Sequence, residues 1–399
     1  MSEARWLTII GLGEDGPEGL PPASLEALHA AEVIMGSERH LSLVNDGGAE
    51  RITWPIPFAA GLPVLDGLRG RKVAVLASGD PFWFGAGSVI ARRFAAGEWR
   101  AFPGASVFSL ASARLGWPME RVACLGLHAA PLSRIRPHLA AGQRAIATVR
   151  DGAAVVELAA YLDGLGLGET RMHVLEALGG PRERCREVAA NAYSLEDVAH
   201  PVAVAVEVAG SGTSLSAASG QPDDVFESDG QITKRHIRAI TLSALAPRPG
   251  ERLWDIGSGS GSVAIEWLMA HASTQAVALE TRADRAARIR KNARALGQDR
   301  LVVVEGQAPQ SLGGLEVPDA VFVGGGLDRG LLDWILGNLA PGTRVVANAV
   351  TLETAALLTE AQASFGGTLT KVELAESAPV GRFRGWKAAF PVVQWCAVR

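Results

Sequence analysis

Cysteine is scarce: Cys124, Cys185 and Cys396 are the only three in 399 residues. Their odd number and wide separation exclude a disulfide framework and give no zinc-ligand spacing, so reduced structural thiols and no metal are expected. Long apolar runs are missing too. No stretch approaches the roughly 18 to 20 continuous apolar residues of a membrane-spanning helix. The start, MSEARWLTIIGLGEDG, has an apolar run too short for a secretory signal and is broken by glycines and acids. A cytoplasmic protein with no membrane partner is the expectation. Excess charge of one sign is also absent. A net charge of −4 supplies no basic field for nucleic acid, so no nucleic-acid partner is expected and an anionic substrate must be held by local Arg and Lys.

What remains is 48% hydrophobic and 20% charged, rich in Gly and Ala, which fits a globular α/β protein. The length exceeds one ordinary core, so two domains are expected. The clearest composition shift is GSGTSLSAASGQPDDVFESDGQ, small, polar and acidic without hydrophobic period, which reads as a linker over 210–229 between domains 1–209 and 230–399. Before it, short β-type runs such as LTII and KVAVLAS alternate with helical patterns. After it, LWDI, AVALE, LVVV, DAVFV and RVVANAV alternate more regularly, and AAFPVVQWCAV closes the chain beyond a longer irregular stretch. That second pattern predicts a doubly wound sheet with a late extra strand pair. The halves show no internal repeat.

Each half carries a glycine-rich loop after a strand. In DIGSGSGSVAIE, Asp255 ends a strand, Gly257, Ser258, Gly259, Ser260 and Gly261 let backbone approach a ligand, and a helix follows. The G-x-G-x-G spacing is the kind adenosyl-methionine enzymes carry, and Glu280, ending the next strand, stands where an acid binds ribose hydroxyls. The other loop, LTIIGLGEDGPEGL, has the literal spacing G-x-G-x-x-G at Gly11, Gly13 and Gly16. A dinucleotide loop opens a helix at once. Here Pro17 and Pro21–Pro22 delay the helix to about Ser24, read as its N-cap, although Glu38 after the second strand keeps a nicotinamide-dinucleotide reading open.

The motifs ITKRHIRAITL, WDIGSGSGSVAIE, VEGQAP, DAVFVGGG and ANAVTLET resemble the precorrin methyltransferases that methylate carbon 15 and decarboxylate a ring acetate. GLGEDG, AEVIMGSERHL, LASGDPFWFGAG and FPGASVFSLASARLG resemble the tetrapyrrole methylases, specifically the carbon-5 precorrin member. Together they resemble the fused precorrin-6B C(5,15)-methyltransferases (decarboxylating) of cobalamin biosynthesis. The resemblance implies an N-terminal tetrapyrrole methylase fold, a C-terminal Rossmann-like class I methyltransferase fold, and S-adenosyl-methionine bound at two sites per chain. It further implies two methyl transfers, loss of the carbon-12 acetate carboxyl and formation of precorrin-8X, with the C-terminal half decarboxylating. By resemblance Thr233, the 257–261 loop, Glu280, Gln307 and Ala308 line one cofactor site. Gly11, Gly13, Ser78, Gly79, Asp80, Ala105 and Ser106 shape the other cleft. His236 departs from the pattern, since an acid is expected there.

The macrocycle and the sulfonium methyl bring their own reactivity, so the protein chiefly aligns them and no Ser-His-Asp set is expected. The substrate's acetates and propionates call for arginine. Lys234, Arg235 and Arg238, and Arg382, Arg384 and Lys387 in GRFRGWK, are the substrate-binding candidates, with solvated surface as the duller reading. Gly324 and Gly325 make room for a broad flat ligand. Asn348 and Arg384 are the residues expected to orient it for reaction, and Trp386 either stacks on it or is core. His128 and His173 read as structural histidines, and the basic stripe from Arg285 to Arg294 as the outer face of a helix. A nucleic-acid N-methyltransferase would need an aromatic strand end where DAVFVGGG stands. A sensor that only binds adenosyl-methionine or a tetrapyrrole would carry the same loops, and turnover of labelled methyl separates it from an enzyme. A homo-oligomer is the expected assembly.

Overall fold

Leu7–Leu12 (β1) is buried along its whole length, which is why LTIIGL shows no polar alternation: a central parallel strand is covered on both faces. The computed structural model describes residues 5–45 and 47–399 and divides into two units, one of residues 1–130 and 138–213 and one of residues 131–137 and 214–399. In the first, Val33–Gly36 (β2), Glu50–Thr53 (β3), Val73–Ser78 (β4) and Trp99–Phe102 (β5) join β1 in the order β3-β2-β4-β1-β5, every neighbouring pair parallel. Parallel strands put their C-terminal loops on one edge. A second sheet holds Val122–Gly126 (β6), Arg144–Val149 (β7), Arg171–Glu176 (β8), Arg184–Ala189 (β9) and Val202–Glu207 (β10), ordered β6-β7-β10-β8-β9. Helix Val107–Leu115 seats Phe108 and Ala111 in a core with Ile146, Leu175, Ala203 and Ala205 of that sheet.

The first long helix is delayed, as the prolines require, but Ser24 does not cap it. The helix runs Pro22–His29 behind Pro21 with no side-chain cap, because a proline at the first helical position supplies the right φ and has no N–H to satisfy.

The second unit is built on Arg252–Ile256 (β11), Gln275–Glu280 (β12), Val302–Glu305 (β13), Ala320–Val323 (β14) and Arg344–Ala349 (β15), all parallel. Thr368–Val372 (β16) follows, then the hairpin Ala375–Val380 (β17) and Phe383–Ala388 (β18), and last Val392–Val398 (β19). The main sheet is ordered β13-β12-β11-β14-β15-β19-β16, with β19 antiparallel to both neighbours. Its strand order reverses between β11 and β14, and ligands of such sheets bind outside that point. Apolar side chains fill both faces, Trp267 in one core and Trp395 in the other, each fully buried.

Two stretches differ from the sequence reading. The supposedly irregular approach to the last strand holds helix Leu352–Phe365, β16 and the hairpin. The hairpin strands are exposed on both faces and β16 packs only Leu369 on the core, so these strands lack an apolar period. The supposed linker is not one flexible connection. Residues 210–213 belong with the first unit and 214–229 with the second. There the backbone amides of Gly220 and Gln221 donate to Glu266 at 2.6 and 2.9 Å, and Phe226 is buried in the core. Arg285 pairs with Asp229 at 2.8 Å and Lys291 with Glu227. Helix Ala283–Ala295 does turn Ala286, Ile289 and Ala293 inward, and its basic face ties down the acidic segment.

Candidate active site

In the first unit the edge at the ends of β1 to β5 opens into a cavity of about 690 Å³, within the range of small-molecule sites. Gly13 and Glu14 follow β1, Ser37 to His40 follow β2, Trp54 to Phe58 follow β3, and Ser78, Gly79 and Asp80 end and follow β4. Ala105 and Ser106 come from the loop after β5, and Leu175 and Ala203 of the second sheet close the far wall. Much of the lining is apolar: Trp83 packs on Phe108 with ring centroids 5.0 Å apart, and Phe84 holds a left-handed φ of 56° beside it. Gly11 lies outside the lining. A Cβ there would collide with the Gly79 carbonyl oxygen and the Gly104 amide, so its role is to let three strand-end loops meet.

A polar cluster interrupts this wall. Ser37 Oγ accepts from His40 N at 3.3 Å and starts the short helix Glu38–Ser42, which brings Arg39 and His40 to the cavity. Arg39 Nη2 donates to His40 Nε2 at 2.8 Å and to Ser78 Oγ at 2.7 Å, and Nη1 pairs with the buried Glu14. A guanidinium can only donate, so Nε2 carries no hydrogen and His40 is neutral. Burial and the Arg39 charge push its pKa down to about 3. Glu14 receives a second arginine, Arg182, at 2.9 Å. His128 also lines the cavity, its Nδ1 3.1 Å from Thr148 Oγ1, whereas His173 stands 3.5 Å from Glu187 and away from the cavity.

In the second unit Asp255 stands next to last in β11, fully buried. Its Oδ2 accepts from Ser258 Oγ at 2.8 Å and Ala264 N at 3.1 Å, which binds the glycine loop to the first turn of helix Ser262–Ala270. Burial raises its pKa to about 7. Gly257 has φ +68°, and a Cβ there would strike the Gly325 carbonyl oxygen, so the loops after β11 and β14 touch through backbone. Glu280 accepts from Gly259 N at 2.9 Å and Arg282 N at 3.1 Å. A carboxylate offers about four lone-pair sites, so both oxygens keep capacity for a ligand's hydroxyls. Gly306 N donates to the Glu280 carbonyl at 3.0 Å, which brings the Gln307–Ala308 turn beside it. Gln231 O lies 3.4 Å from where a Gly259 Cβ would stand, which sets the Thr233 segment by the same loop. Asp255 Oδ1 and Ser260 Oγ are buried with no hydrogen-bond partner among the described residues.

The proposed substrate residues fare differently. Arg238 is fully buried and donates to Glu266 at 2.5 Å, to Asp223 at 3.0 Å and to the carbonyls of Thr233 and Gln221. It clamps the 214–229 segment and does not face a ligand. Lys234 is exposed, 3.8 Å from Asp223, and Arg235 and His236 are exposed on the same turn. Asn348 donates to Thr241 Oγ1 and accepts from Gln394 Nε2, both at 2.9 Å, so its amide already serves a polar network. Arg382, Arg384, Trp386 and Lys387 lie in the β17–β18 hairpin. Trp386 is 80% exposed and therefore not core. Gly324 and Gly325 are exposed after β14. Sequence reasoning passed over Glu14, Arg39 and the Trp54–Phe58 wall. GSERHL was noted as a motif, but nothing in its spacing says which of its side chains meets Ser78.

Residues 6–192 match the tetrapyrrole (corrin/porphyrin) methylases, and residues 224–399 match the precorrin methyltransferase domain. A precorrin-6Y C(5,15)-methyltransferase [decarboxylating] from a Sinorhizobium species is 45% identical over 395 residues, 98% of this chain and 95% of that one. Two shorter Salmonella typhimurium relatives carry single activities in their names. A cobalt-precorrin-7 C(5)-methyltransferase is 31% identical over 179 residues, 45% of this chain and 88% of its own. A cobalt-precorrin-6B C(15)-methyltransferase (decarboxylating) is 34% identical over 124 residues, 31% of this chain and 64% of its own. With a family model matched in each half and a full-length relative covering both, the chain belongs to the precorrin-6Y C(5,15)-methyltransferase (decarboxylating) family, joining a tetrapyrrole methylase domain to a precorrin methyltransferase domain.

Proposed function

We propose that this chain is a cytoplasmic enzyme that methylates the tetrapyrrole called precorrin-6Y in its relatives at carbons 5 and 15 and removes the carbon-12 acetate carboxyl. S-adenosyl-methionine serves at two sites per chain. The observation that carries the reading is that each half has its own strand-end site: the 690 Å³ cavity in the first, and the glycine loop with Glu280 at the sheet's reversal point in the second. The residues of the second site fit an adenosine-bearing ligand. A Cβ at Gly259 would fill open space beside Gln231, and Ser260 Oγ is buried and unpartnered among the described residues. When bound, S-adenosyl-methionine supplies an electrophilic methyl.

The chain's own part is positioning. Glu280, held by two backbone amides, is a preset acceptor for ribose hydroxyls. A ligand covering the first cavity's apolar wall would displace water from it, which strengthens the polar contacts the ligand makes there. The first half carries out methylation at carbon 5, and the second carries out methylation at carbon 15 with decarboxylation. Methylating a bridging carbon leaves the adjoining ring iminium-like, so the electrons of the departing carboxylate have a sink. Two separate single-activity relatives support this division. Mass spectrometry of precorrin-6Y incubated with the protein and S-adenosyl-methionine should show two methyl groups gained and one carboxyl lost. The Gly259→Val protein should keep one methylation and lose both the other and the decarboxylation. A wild-type product with no methyl gained would refute the assignment, and a Gly259→Val protein that still adds both would refute two sites.

A further inference from the structure

Arg39 is the only lysine or arginine among the described residues lining the cavity of the first unit. Three carboxylates, Glu14, Glu38 and Asp80, share that lining, so a ligand carboxylate entering the cavity has one place where its charge is compensated. Asp80 already accepts from Phe82 N at 2.9 Å. Glu14 does not cancel Arg39, because it is shared: Arg39 takes one of its oxygens and Arg182, which does not line the cavity, takes the other. Two arginines on one glutamate leave a surplus positive charge, and only Arg39 presents it to the cavity.

The guanidinium is also oriented. Glu14 holds Nη1, while Ser78 Oγ and His40 Nε2 hold Nη2, and Nε has no partner among the described residues. About a fifth of the side chain remains accessible. The neutral His40 beside it adds an acceptor without adding charge, so it steadies Arg39 without competing for an anion. A fixed, partly exposed arginine on an apolar wall is the arrangement that recognises a carboxylate.

We propose that Arg39 is the carboxylate-binding residue of this cavity, anchoring either an acetate or propionate arm of the tetrapyrrole or the carboxylate of the methyl donor's methionine portion. The assignment rests on the reading that this cavity binds both ligands. The test compares the full-length protein with R39M in two arms. One measures KM and kcat for precorrin-6Y in the carbon-5 methylation. The other measures binding of S-adenosyl-homocysteine and of methylthioadenosine, which lacks the carboxylate, by calorimetry.

Loss of a charged hydrogen bond corresponds to about 10- to 100-fold. A rise of that size in KM for precorrin-6Y, with kcat changed less than about threefold and S-adenosyl-homocysteine binding intact, assigns Arg39 to a tetrapyrrole arm. A comparable loss for S-adenosyl-homocysteine with methylthioadenosine unchanged assigns it to the methionine carboxylate. No change in either arm, or equal losses for the two nucleosides, overturns the proposal. If R39M does not fold, R39K keeps the charge without the planar fork and is read by the same comparisons, with a smaller loss of about 3- to 10-fold. Should a Gly259→Val protein, with Arg39 intact and the second half's site removed, bind none of these ligands, the reading of the cavity fails, and that titration alone reveals it.

Discussion

His40 is buried against Arg39 and Ser78, and that environment decides its charge. Burial first, and the Arg39 and His200 charges after it, lower its pKa from 6.5 to about 3. Between those values the folded protein holds His40 neutral while the unfolded chain takes up a proton, so stability must fall as pH drops from about 6.5 towards 3. At most this is worth about 1.4 kcal/mol per pH unit. His40→Gln keeps a hydrogen-bond acceptor near Nε2 and removes the titration. Its calorimetric melting temperature should therefore fall less between about pH 7 and pH 5 than that of the wild type. An equal fall in both proteins would take His40 out of this linkage. None of this is visible in GSERHL, since the polar pattern of that motif suits a solvated helix start equally well. Ser78 and Gly13, by contrast, were named through the family resemblance, and both line the cavity.

Among the elements, the segment 214–229 shows how a loop-like composition can be structural. Its residues have no apolar period, yet the Gly220 and Gln221 amides converge with Arg238 on Glu266, Asp223 pairs with Arg238, and the guanidinium of Arg238 lies 4.8 Å from the centroid of the buried Phe226 ring. A buried ion pair broken from one side leaves an uncompensated charge, which costs about 3–5 kcal/mol. Arg238→Met should destabilise the second unit by that order in denaturant unfolding. A loss below about 1 kcal/mol would show that Glu266 is satisfied by the two amides alone. The basic helix Ala283–Ala295 was legible as amphipathic, but two of its ion-pair partners, Glu227 and Asp229, lie more than fifty residues before the arginine and lysine they hold. The hairpin β17–β18 went unread for the opposite reason. Its side chains are exposed on both faces, so no burial imposes a pattern.

For the whole molecule, the division of the chain makes its own expectation. A C-terminal fragment starting at Ser214 retains Gln221, Asp223 and Phe226, whereas one starting at Asp229 loses them. The longer fragment should melt at the higher temperature. On the proposed division of labour it should also release carbon dioxide while adding one methyl, and the fragment ending at Thr213 should add one methyl without carbon dioxide. Carbon dioxide from the N-terminal fragment would reverse that assignment, and equal melting of the two C-terminal fragments would remove the segment from the fold's support.

By itself the sequence determined two α/β halves, their glycine loops, Glu280 and the family resemblance. These features are local: a buried parallel strand must be apolar along its length, and a loop that passes close to another backbone must be glycine, whatever surrounds it. The tertiary structure decided which charges are available. Arg238 read as a substrate-binding residue or a solvated one and Arg39 drew no reading, and only the fold buries the first on Glu266 while setting the second on the cavity wall. The reason is physical: the partners that neutralise or free a charge are distant in sequence, and chain periodicity carries no record of them.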